Sequence, residues 1–344
     1  MNKSVDAIST LNGPLCCPLT RSNLQLIDDH EEISALNRAL NDGDLTLAAG
    51  KIPGGKIGGV LISSEGQHRY PVIDGVPCLF DDFRIVKQTE NSSTKEVSLQ
   101  MNDLQREQWE LFSARYERWT GGPGGIITKV QEEFQRRNFE VLSNGMKGAV
   151  VLDVGNGGAT AIEQLGPEVS NSLKAFYALD SSYPMLTRNN KNGNQILGDA
   201  KKLPFSDQSI DYVIVNNPLH HFGRHKDTDP AKMMKEFFKE VFRVSCNGVI
   251  GVEMVIPHIA LHVETLVLNY LEFMPTFVYS ERFYSCLVAD LGVEVIDFKS
   301  IPQRNLISPL KFGPPIMDLP FIQLPAFLTP YSFLFYHLKP KLSH

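Results

Sequence analysis

The second half of the chain alternates between continuous apolar runs and stretches in which apolar residues recur every three or four positions. The runs predict buried strands, and the recurring pattern predicts amphipathic helices. The strand-like runs are AVVLDVG from residue 149, KAFYALD from 174, QILGDA from 195, IDYVIVNN from 210, GVIGVEMVI from 248, VEVIDFKS from 293 and YSFLFYHLKP from 331. The helical stretches follow Thr160 and begin at residues 183, 229 and 283. This alternation predicts an α/β fold whose parallel sheet is covered by helices on both faces.

The remaining pattern divides the chain into three parts. Residues 1–86 contain short strand-like runs and many turn residues, with a turn at Asp74-Gly75, and predict a small β-rich domain. Residues 87–98 are polar without periodicity and predict a linker, so the α/β domain covers 99–344 and begins with a helix over 99–119. Residues 301–329 are rich in proline and apolar residues and too long for an ordinary loop. They predict an insertion that packs on the domain or walls a pocket.

Composition narrows the class of protein. The net charge of −6 and the pI near 5.9 argue against nonspecific nucleic-acid binding, which needs a basic surface. No segment offers the ~18 uninterrupted apolar residues of a membrane span, and no targeting peptide is visible. Five cysteines without regular spacing favour reduced thiols, so we expect a cytoplasmic protein.

A glycine-rich loop follows the first strand of the α/β domain, in the stretch VVLDVGNGGAT from residue 150. In an open parallel sheet, ligands bind outside the carboxyl ends of the strands, and glycine lets the backbone approach them closely. A dinucleotide fingerprint would need a third glycine where Thr160 stands, and the Gly-Lys-Ser/Thr end of a phosphate loop is absent. The loop therefore predicts another nucleotide-like ligand.

Four motifs in order identify that ligand by resemblance. They are D-x-G-x-G from Asp153, DSSYPML from Asp180, GDAKKLPFSDQSID around Asp199, and VIVNNPLHHF from residue 213. In this order they resemble class I S-adenosylmethionine-dependent methyltransferases of the type-11 kind, with Ala159 where many members carry a third glycine. The resemblance implies a Rossmann-like sheet of seven strands with helices on both faces, and S-adenosylmethionine as cofactor.

The resemblance also implies roles for individual residues. It places the methionine end of the cofactor at the first loop, the ribose at the second strand end, the adenine at the third and the sulfonium beside the fourth. The implied cofactor-binding residues are Asp153, Gly155, Asn156, Gly157, Asp180, Ser181, Met185, Asp199, Ala200 and Asn216. The alternative for each aspartate is that it caps the helix or turn that follows its strand.

The candidate catalytic residues are His220 and His221, which follow the fourth strand, where methyl donor and acceptor should meet. Methyl transfer from a sulfonium needs mainly proximity and alignment, but a hydroxyl or amine acceptor would benefit from a general base. Alternatively, either histidine only shapes the pocket.

Three other histidines and two aromatic residues were tested for a role as metal ligands or in closing over the cofactor. His225, His258 and His262 lack metal-ligand spacing, so we expect no catalytic metal, and Tyr116 and Trp119 either close over the cofactor or pack in the core.

The N-terminal segment resembles the short zinc-ribbon-like domain that partners or is fused to many methyltransferases. Its closing half, Y-P-V-I-D-G-V-P-C-L from Tyr70, matches that family, and its opening keeps Cys17-Pro18. Thr20 stands where the second cysteine of the family belongs, so four zinc ligands are not assembled. We expect a β-rich module without zinc that supports the methyltransferase domain or helps to contact its substrate.

Three functions follow from these observations. The leading hypothesis is a methyltransferase with a small-molecule acceptor. The second is a nucleic-acid or protein methyltransferase, although residues 216–219, NNPL, lack the second proline and the aromatic residue of the N-P-P-F/Y motif. The third is a non-catalytic scaffold or activator of a partner, against which the three aspartates at the strand ends argue.

Overall fold

The computed structural model describes residues 14–48, 56–87, 139, 142–155, 161–187, 194–222, 229–256, 278–302 and 332–341. Within these residues the strands are β1 (Leu24–Ile27), β2 (Leu45–Leu47), β3 (Ile57–Ser63), β4 (Arg69–Ile73), β5 (Val76–Leu79), β6 (Ile85–Lys87), β7 (Val150–Val154), β8 (Ala175–Asp180), β9 (Asn194–Gly198), β10 (Tyr212–Asn216), β11 (Val249–Val255), β12 (Glu294–Pro302) and β13 (Ser332–Lys339). The α-helices are α1 (His30–Asn41), α2 (Ala161–Gln164), α3 (Pro167–Ser170), α4 (Tyr183–Thr187), α5 (Pro230–Val244) and α6 (Glu281–Leu291). The predicted helix over 99–119, nearly all of the linker and most of the 301–329 insertion lie outside the described residues.

One large mixed sheet carries most of the strands, in the order β1-β3-β4-β5-β9-β8-β7-β10-β11-β13-β12. The prediction of a parallel sheet is right for its centre, where β5, β9, β8, β7, β10 and β11 run parallel. It is wrong at the two ends. Strand β13 lies antiparallel between β11 and β12, and β1, β3 and β4 form an antiparallel meander. The sheet has 11 strands because the N-terminal strands extend the seven that were expected.

Helices cover both faces of the sheet, as the sequence predicts. Alternate residues of β7 point to opposite faces, so Leu152 joins one hydrophobic cluster and Val151 the other. Helix α5 packs Phe237 and Val241 into the first cluster, and Val169 of α3 packs into the second. Burial on both faces explains why the central strands are continuously apolar.

Local sequence signals fix the ends of helix α5. Asp229 is its N-cap, and its carboxylate accepts hydrogen bonds from the backbone N–H groups of Ala231 and Lys232. Pro230 occupies the first helical turn, where its missing N–H costs nothing. The helix then buries a stripe of apolar side chains at spacings of three and four residues, which are Met234, Phe237, Phe238, Val241 and Val244.

The N-terminal strands join the large sheet through β5. This strand pairs in parallel with β9, with Cys78 opposite Leu197. The predicted turn at Asp74-Gly75 is confirmed: both residues have positive φ, 49° and 83°, and they join β4 to β5 in a tight hairpin. Strands β1, β3, β4 and β5 are thus continuous in hydrogen bonding with the α/β sheet.

The remaining N-terminal elements form a small layer beside the meander. Strands β2 and β6 pair in a separate two-stranded sheet, and α1 begins at the Asp29 N-cap. Cys16, Cys17 and Cys78 are buried free thiols, and the Cys17 Sγ lies 3.5 Å from the Tyr70 hydroxyl. None of the helices that the structure describes has the length and apolar character needed to cross a membrane.

Candidate active site

The predicted cofactor-binding residues that the structure describes gather at one edge of the sheet. Strands β9, β8, β7 and β10 are consecutive neighbours and run parallel, so their carboxyl ends face the same side. At these four ends lie Asp199, Asp180, Gly155 and Asn216. The sheet therefore places these four residues in adjacent positions, although up to 61 positions separate them in the chain.

Gly155 begins the glycine loop in a conformation that suits only glycine. Its φ is 73°, and its N–H donates a hydrogen bond to the carbonyl oxygen of Leu179 at 2.9 Å. A Cβ at this position would lie 2.8 Å from the Cβ of Pro218, which follows β10. The loop thus leaves β7 against the end of β10. Asn156 and Gly157, like Gly158, Ala159 and Thr160, lie outside the described residues.

Asp153 is completely buried within β7, at 0% exposure. Its register partners are Ala178 of β8 and Ile214 of β10, both apolar. An ionised carboxylate loses its hydration in such surroundings, so aspartate is rarely found there without a specific task. The residue lies near the carboxyl end of β7, two positions before the Gly155 turn.

Asp180 ends β8 and organises the turn into helix α4. One of its carboxylate oxygens, Oδ1, accepts a hydrogen bond from the Ser182 N–H at 2.8 Å. The Ser182 hydroxyl in turn accepts from the N–H of Met185, whose side chain is buried, while Ser181 is exposed. The capping interpretation is therefore realised here. It leaves a ligand role open, because a carboxylate offers about four acceptor sites on two oxygens.

Asp199 has the same arrangement after β9. Its Oδ1 accepts a hydrogen bond from the Lys201 N–H at 2.8 Å, and its own carbonyl accepts from the Lys202 N–H. Both Asp199 and Ala200 are half-buried. The turn presents them at the strand end beside Asp180.

The segment that follows Asp199 is held by residues that precede β1 and by α5. The carbonyl of Leu203 accepts hydrogen bonds from the guanidinium groups of Arg21 and Arg243, at 2.7 and 2.8 Å. Its N–H donates to Glu240, which also pairs with both arginines. The backbone N–H of Cys16 donates to the next carbonyl along this segment. The segment from Asp199 is thus fixed from the side of the N-terminal strands.

Beyond β10 the chain turns sharply. The Asn216 amide donates to the side-chain oxygen of Gln164 on α2 at 3.2 Å, and Asn217 takes a positive φ of 57°. A short 3-10 helix, residues 219–221, then carries the candidate catalytic histidines. The side chain of His221 lies outside the described residues, as do Tyr116, Trp119, His225, His258 and His262.

His220 pairs with a glutamate that the sequence analysis missed. Its Nδ1 lies 2.6 Å from Oε1 of Glu253, a side chain of β11 at 0% exposure. Buried hydroxyls of Tyr284 and Tyr336 lie nearby, and burial together with the Glu253 charge raises the pKa of both well above the ordinary value. The signal was present in the sequence: a glutamate interrupts the otherwise apolar run GVIGVEMVI.

The described residues bring together at the strand ends the Gly155 backbone, three carboxylates, an amide and an imidazole. Such a set can bind a cationic, hydroxyl-bearing ligand and accept a proton. Over the same ranges, no three histidine, cysteine, aspartate or glutamate side chains come together in a group suited to a metal ion.

Comparison with known proteins agrees with this architecture. Residues 152–250 match the family model described as a methyltransferase domain. The matched range includes the carboxyl ends of β7, β8, β9 and β10 and the first two residues of β11, and it ends before Glu253. The chain therefore carries a methyltransferase domain, which confirms the class of protein that the four motifs predict.

Solved structures and curated sequences complete the comparison. A chain from the complex of the Haloferax volcanii Trm112 methyltransferase activator with a methyltransferase has 17% identity and a TM-score of 0.48, covering 70% of this chain and 99% of that one. A methyltransferase from Thermotoga maritima has 16% identity and a TM-score of 0.45, covering 68% and 99%. Magnesium protoporphyrin IX methyltransferase from Synechocystis has 14% identity and a TM-score of 0.44, covering 69% and 99%. A search of curated proteins found no match.

Proposed function

We propose that the protein transfers a methyl group from S-adenosylmethionine to a small-molecule acceptor by in-line displacement. The observation that carries this proposal is the placement of Gly155, Asp180 and Asp199 at the ends of three adjacent parallel strands, within the region that matches the methyltransferase family. Each motif alone has an ordinary structural explanation. Their convergence on one sheet edge is the geometry that a single extended ligand requires.

The cofactor has a different chemical group for each strand end. The Gly155 backbone and the buried Asp153 suit its zwitterionic methionine end, and Asp180 suits the ribose diol, because a carboxylate can accept from two hydroxyls. Asp199 and the Ala200 N–H suit the adenine amino group and a ring nitrogen. Met185, buried on α4, suits the adenine face, with Ser181 next to the ribose and Asn216 beside the sulfonium.

The proposal of a small-molecule acceptor is based on the net charge of the chain. A net charge of −6 gives no long-range attraction for a polyanion, and this favours a small acceptor over RNA or DNA. Tritium-labelled S-adenosylmethionine incubated with separated cell extracts discriminates the classes. Label in the low-molecular-weight fraction supports the proposal, whereas label confined to RNA or protein moves the acceptor to the second hypothesis.

Isothermal titration with S-adenosylmethionine and S-adenosylhomocysteine tests the cofactor directly. Asp180→Asn keeps an oxygen that can accept the Ser182 N–H but replaces the other oxygen with a donor. We expect affinity to fall at least about tenfold, because losing a hydrogen bond to a charged group costs ~1.5–3 kcal/mol. Asp29→Asn is the matched control, since Asp29 caps α1 through the same kind of carboxylate bonds far from the strand ends.

The outcomes separate the remaining hypotheses. Binding by the wild type and by Asp29→Asn, with weakened binding by Asp180→Asn, supports an S-adenosylmethionine site at the β8 end. No binding of either ligand by folded wild-type protein contradicts an autonomous enzyme. The non-catalytic scaffold would then be the better account of the chain.

A further inference from the structure

Glu253 is a charged side chain in the least hydrated part of the sheet. It lies in β11 between Val252 and Met254, and its side chain has 0% exposure. Burying an ionised carboxylate is costly unless hydrogen bonds replace its hydration. Its three hydrogen-bond donors therefore indicate what the residue does.

All three donors are N–H groups near the end of β10. Oε2 accepts from the backbone N–H of Leu219 at 2.8 Å, and Oε1 accepts from the backbone N–H of Met254 at 3.0 Å. The third partner is Nδ1 of His220, 2.6 Å from Oε1. The Leu219 bond pins the 3-10 turn to β11, and the His220 bond orients the ring that this turn carries.

The chemistry of the pair fixes the protonation pattern of the imidazole. An ionised carboxylate only accepts hydrogen bonds, so a neutral His220 must carry its proton on Nδ1. The lone pair of the ring then resides on Nε2. A carboxylate that holds the other ring nitrogen determines in this way which nitrogen of a histidine can act as a base.

We propose, on the basis of the methyl-transfer function above, that Glu253 is a positioning residue that fixes His220 as the Nδ1–H tautomer, so that Nε2 takes the proton of a hydroxyl-bearing methyl acceptor. As the acceptor oxygen bonds to the methyl carbon, the carbon–sulfur bond breaks and its electron pair goes to sulfur. The hydroxyl proton moves to Nε2. The products are a methyl ether, the neutral thioether and an imidazolium whose charge Glu253 balances.

The pair also narrows the acceptor class. A carboxylate acceptor is already ionised at neutral pH and gains little from a base, whereas an alcohol or phenol must lose its proton as the new bond forms. A buried counter-charge for an imidazolium would serve no purpose with an ionised acceptor. The geometry therefore favours a hydroxyl group over a carboxyl group.

The first test needs no acceptor, and it uses a variant only to assign the signals. The full-length protein is labelled with ¹⁵N-histidine, and long-range ¹H–¹⁵N correlation spectra distinguish the two tautomers of each of the nine histidines. The His220 signals are assigned by their loss in His220→Asn. A neutral His220 with its proton on Nδ1 is the expected result. A proton on Nε2, or a mixture of the two forms, overturns the proposal.

The second test asks whether Nε2 faces the methyl donor. Diethyl pyrocarbonate transfers its ethoxycarbonyl group to an unprotonated imidazole nitrogen, and mass spectrometry locates the product. With S-adenosylhomocysteine at ten times its Kd, modification of His220 should slow by about tenfold, since only about one molecule in eleven is unliganded. Unchanged modification at saturating ligand contradicts the placement of His220 in the active site.

Glu253→Gln tests the role of the carboxylate itself. One amide oxygen cannot serve all three N–H donors, so the Nε2–H form of His220 should appear in the spectrum. A purely Nδ1–H ring in the folded variant would show that another group fixes the tautomer. Titration of S-adenosylmethionine into the same samples separates the two proposals. Absent cofactor binding defeats the methyl-transfer proposal, whereas binding with the wrong tautomer defeats only the role of Glu253.

Discussion

Gly155 lies against Pro218 at the end of β10, and this contact allows the free-energy cost of one steric overlap to be measured. In Gly155→Ala the new Cβ would lie 2.8 Å from the Cβ of Pro218, closer than such atoms ever approach, and the backbone would stay at a φ of 73°. The positive φ costs roughly 1–2 kcal/mol for a residue with a Cβ. Relief of the overlap costs ~1–3 kcal/mol more, as in an overpacked core.

Gly148→Ala is a matched control for the backbone term. Gly148 has the same φ of 73°, but a Cβ there would meet nothing within 4 Å. Urea denaturation gives the free energy of unfolding of both variants. Alanine restricts the unfolded chain equally in each, so this contribution cancels when the two values are compared. We expect Gly155→Ala to be less stable than Gly148→Ala by ~1–3 kcal/mol, which is the steric term alone.

A second substitution and a binding measurement complete the test. Replacing Pro218 with glycine removes the atom that the new methyl group meets, so the double variant should recover most of the steric term, with a coupling of ~1 kcal/mol or more. Affinity for S-adenosylmethionine should fall in Gly155→Ala and stay unchanged in Gly148→Ala, because Gly148 precedes β7 at the opposite edge of the sheet. Equal costs for the two alanine variants would refute the contact and the loop geometry built on it.

Two further predictions concern the N-terminal strands and acid stability. Arg21→Ala should lower the free energy of unfolding by about 1–2 kcal/mol, since it removes charge-assisted hydrogen bonds to Glu240 and to the Leu203 carbonyl, whereas Arg69→Ala on an exposed strand position should change it little. Burial lowers the pKa of His337, so its contribution to stability is present above the ordinary histidine pKa and is lost as pH falls through the folded value. His337→Gln should therefore lose less stability than the wild type on acidification below pH ~6.5, as followed by denaturant titration at several pH values. If the free energy of unfolding fell equally with decreasing pH in the wild type and in His337→Gln, this prediction would be wrong.

The central strands were predictable because burial on both faces is recorded directly in the sequence. Each of the seven runs from residue 149 onward contains a strand of the sheet, and the stretches beginning at 183, 229 and 283 contain helices. The hairpin at Asp74-Gly75 was predictable for a different reason. Positive φ at two consecutive residues selects for such a pair, so the turn has its own local signal.

Which strands pair with each other was harder to predict from the sequence. Neighbouring strands are joined by backbone hydrogen bonds that do not depend on side-chain identity, so no sequence pattern indicated that β5 pairs with β9. The antiparallel insertion of β13 was hidden in the same way. One clue was available: all four residues of β5 are buried, and a continuously buried strand is typical of the interior of a sheet rather than its edge.

In the candidate site, too, some residues were predictable from the sequence and others were not. Asp153, Asp180 and Asp199 were found because each follows an apolar run, at the position where a strand ends. Glu253 was missed because its partner His220 lies 33 residues away, and only the pairing of β10 with β11 brings the two together. Pairs of charged groups across parallel strands depend on register, which sequence periodicity does not encode.

The N-terminal strands and the candidate cofactor site meet in one short segment of chain. Asp199 begins this segment at the end of β9, and Leu203, four residues later, is held by Arg21. Strand β9 itself is bonded on its outer edge to β5. A displacement of the N-terminal strands would therefore act on both ends of the turn that presents Asp199. This link depends on backbone pairing and on one guanidinium group, and neither of these requires a metal.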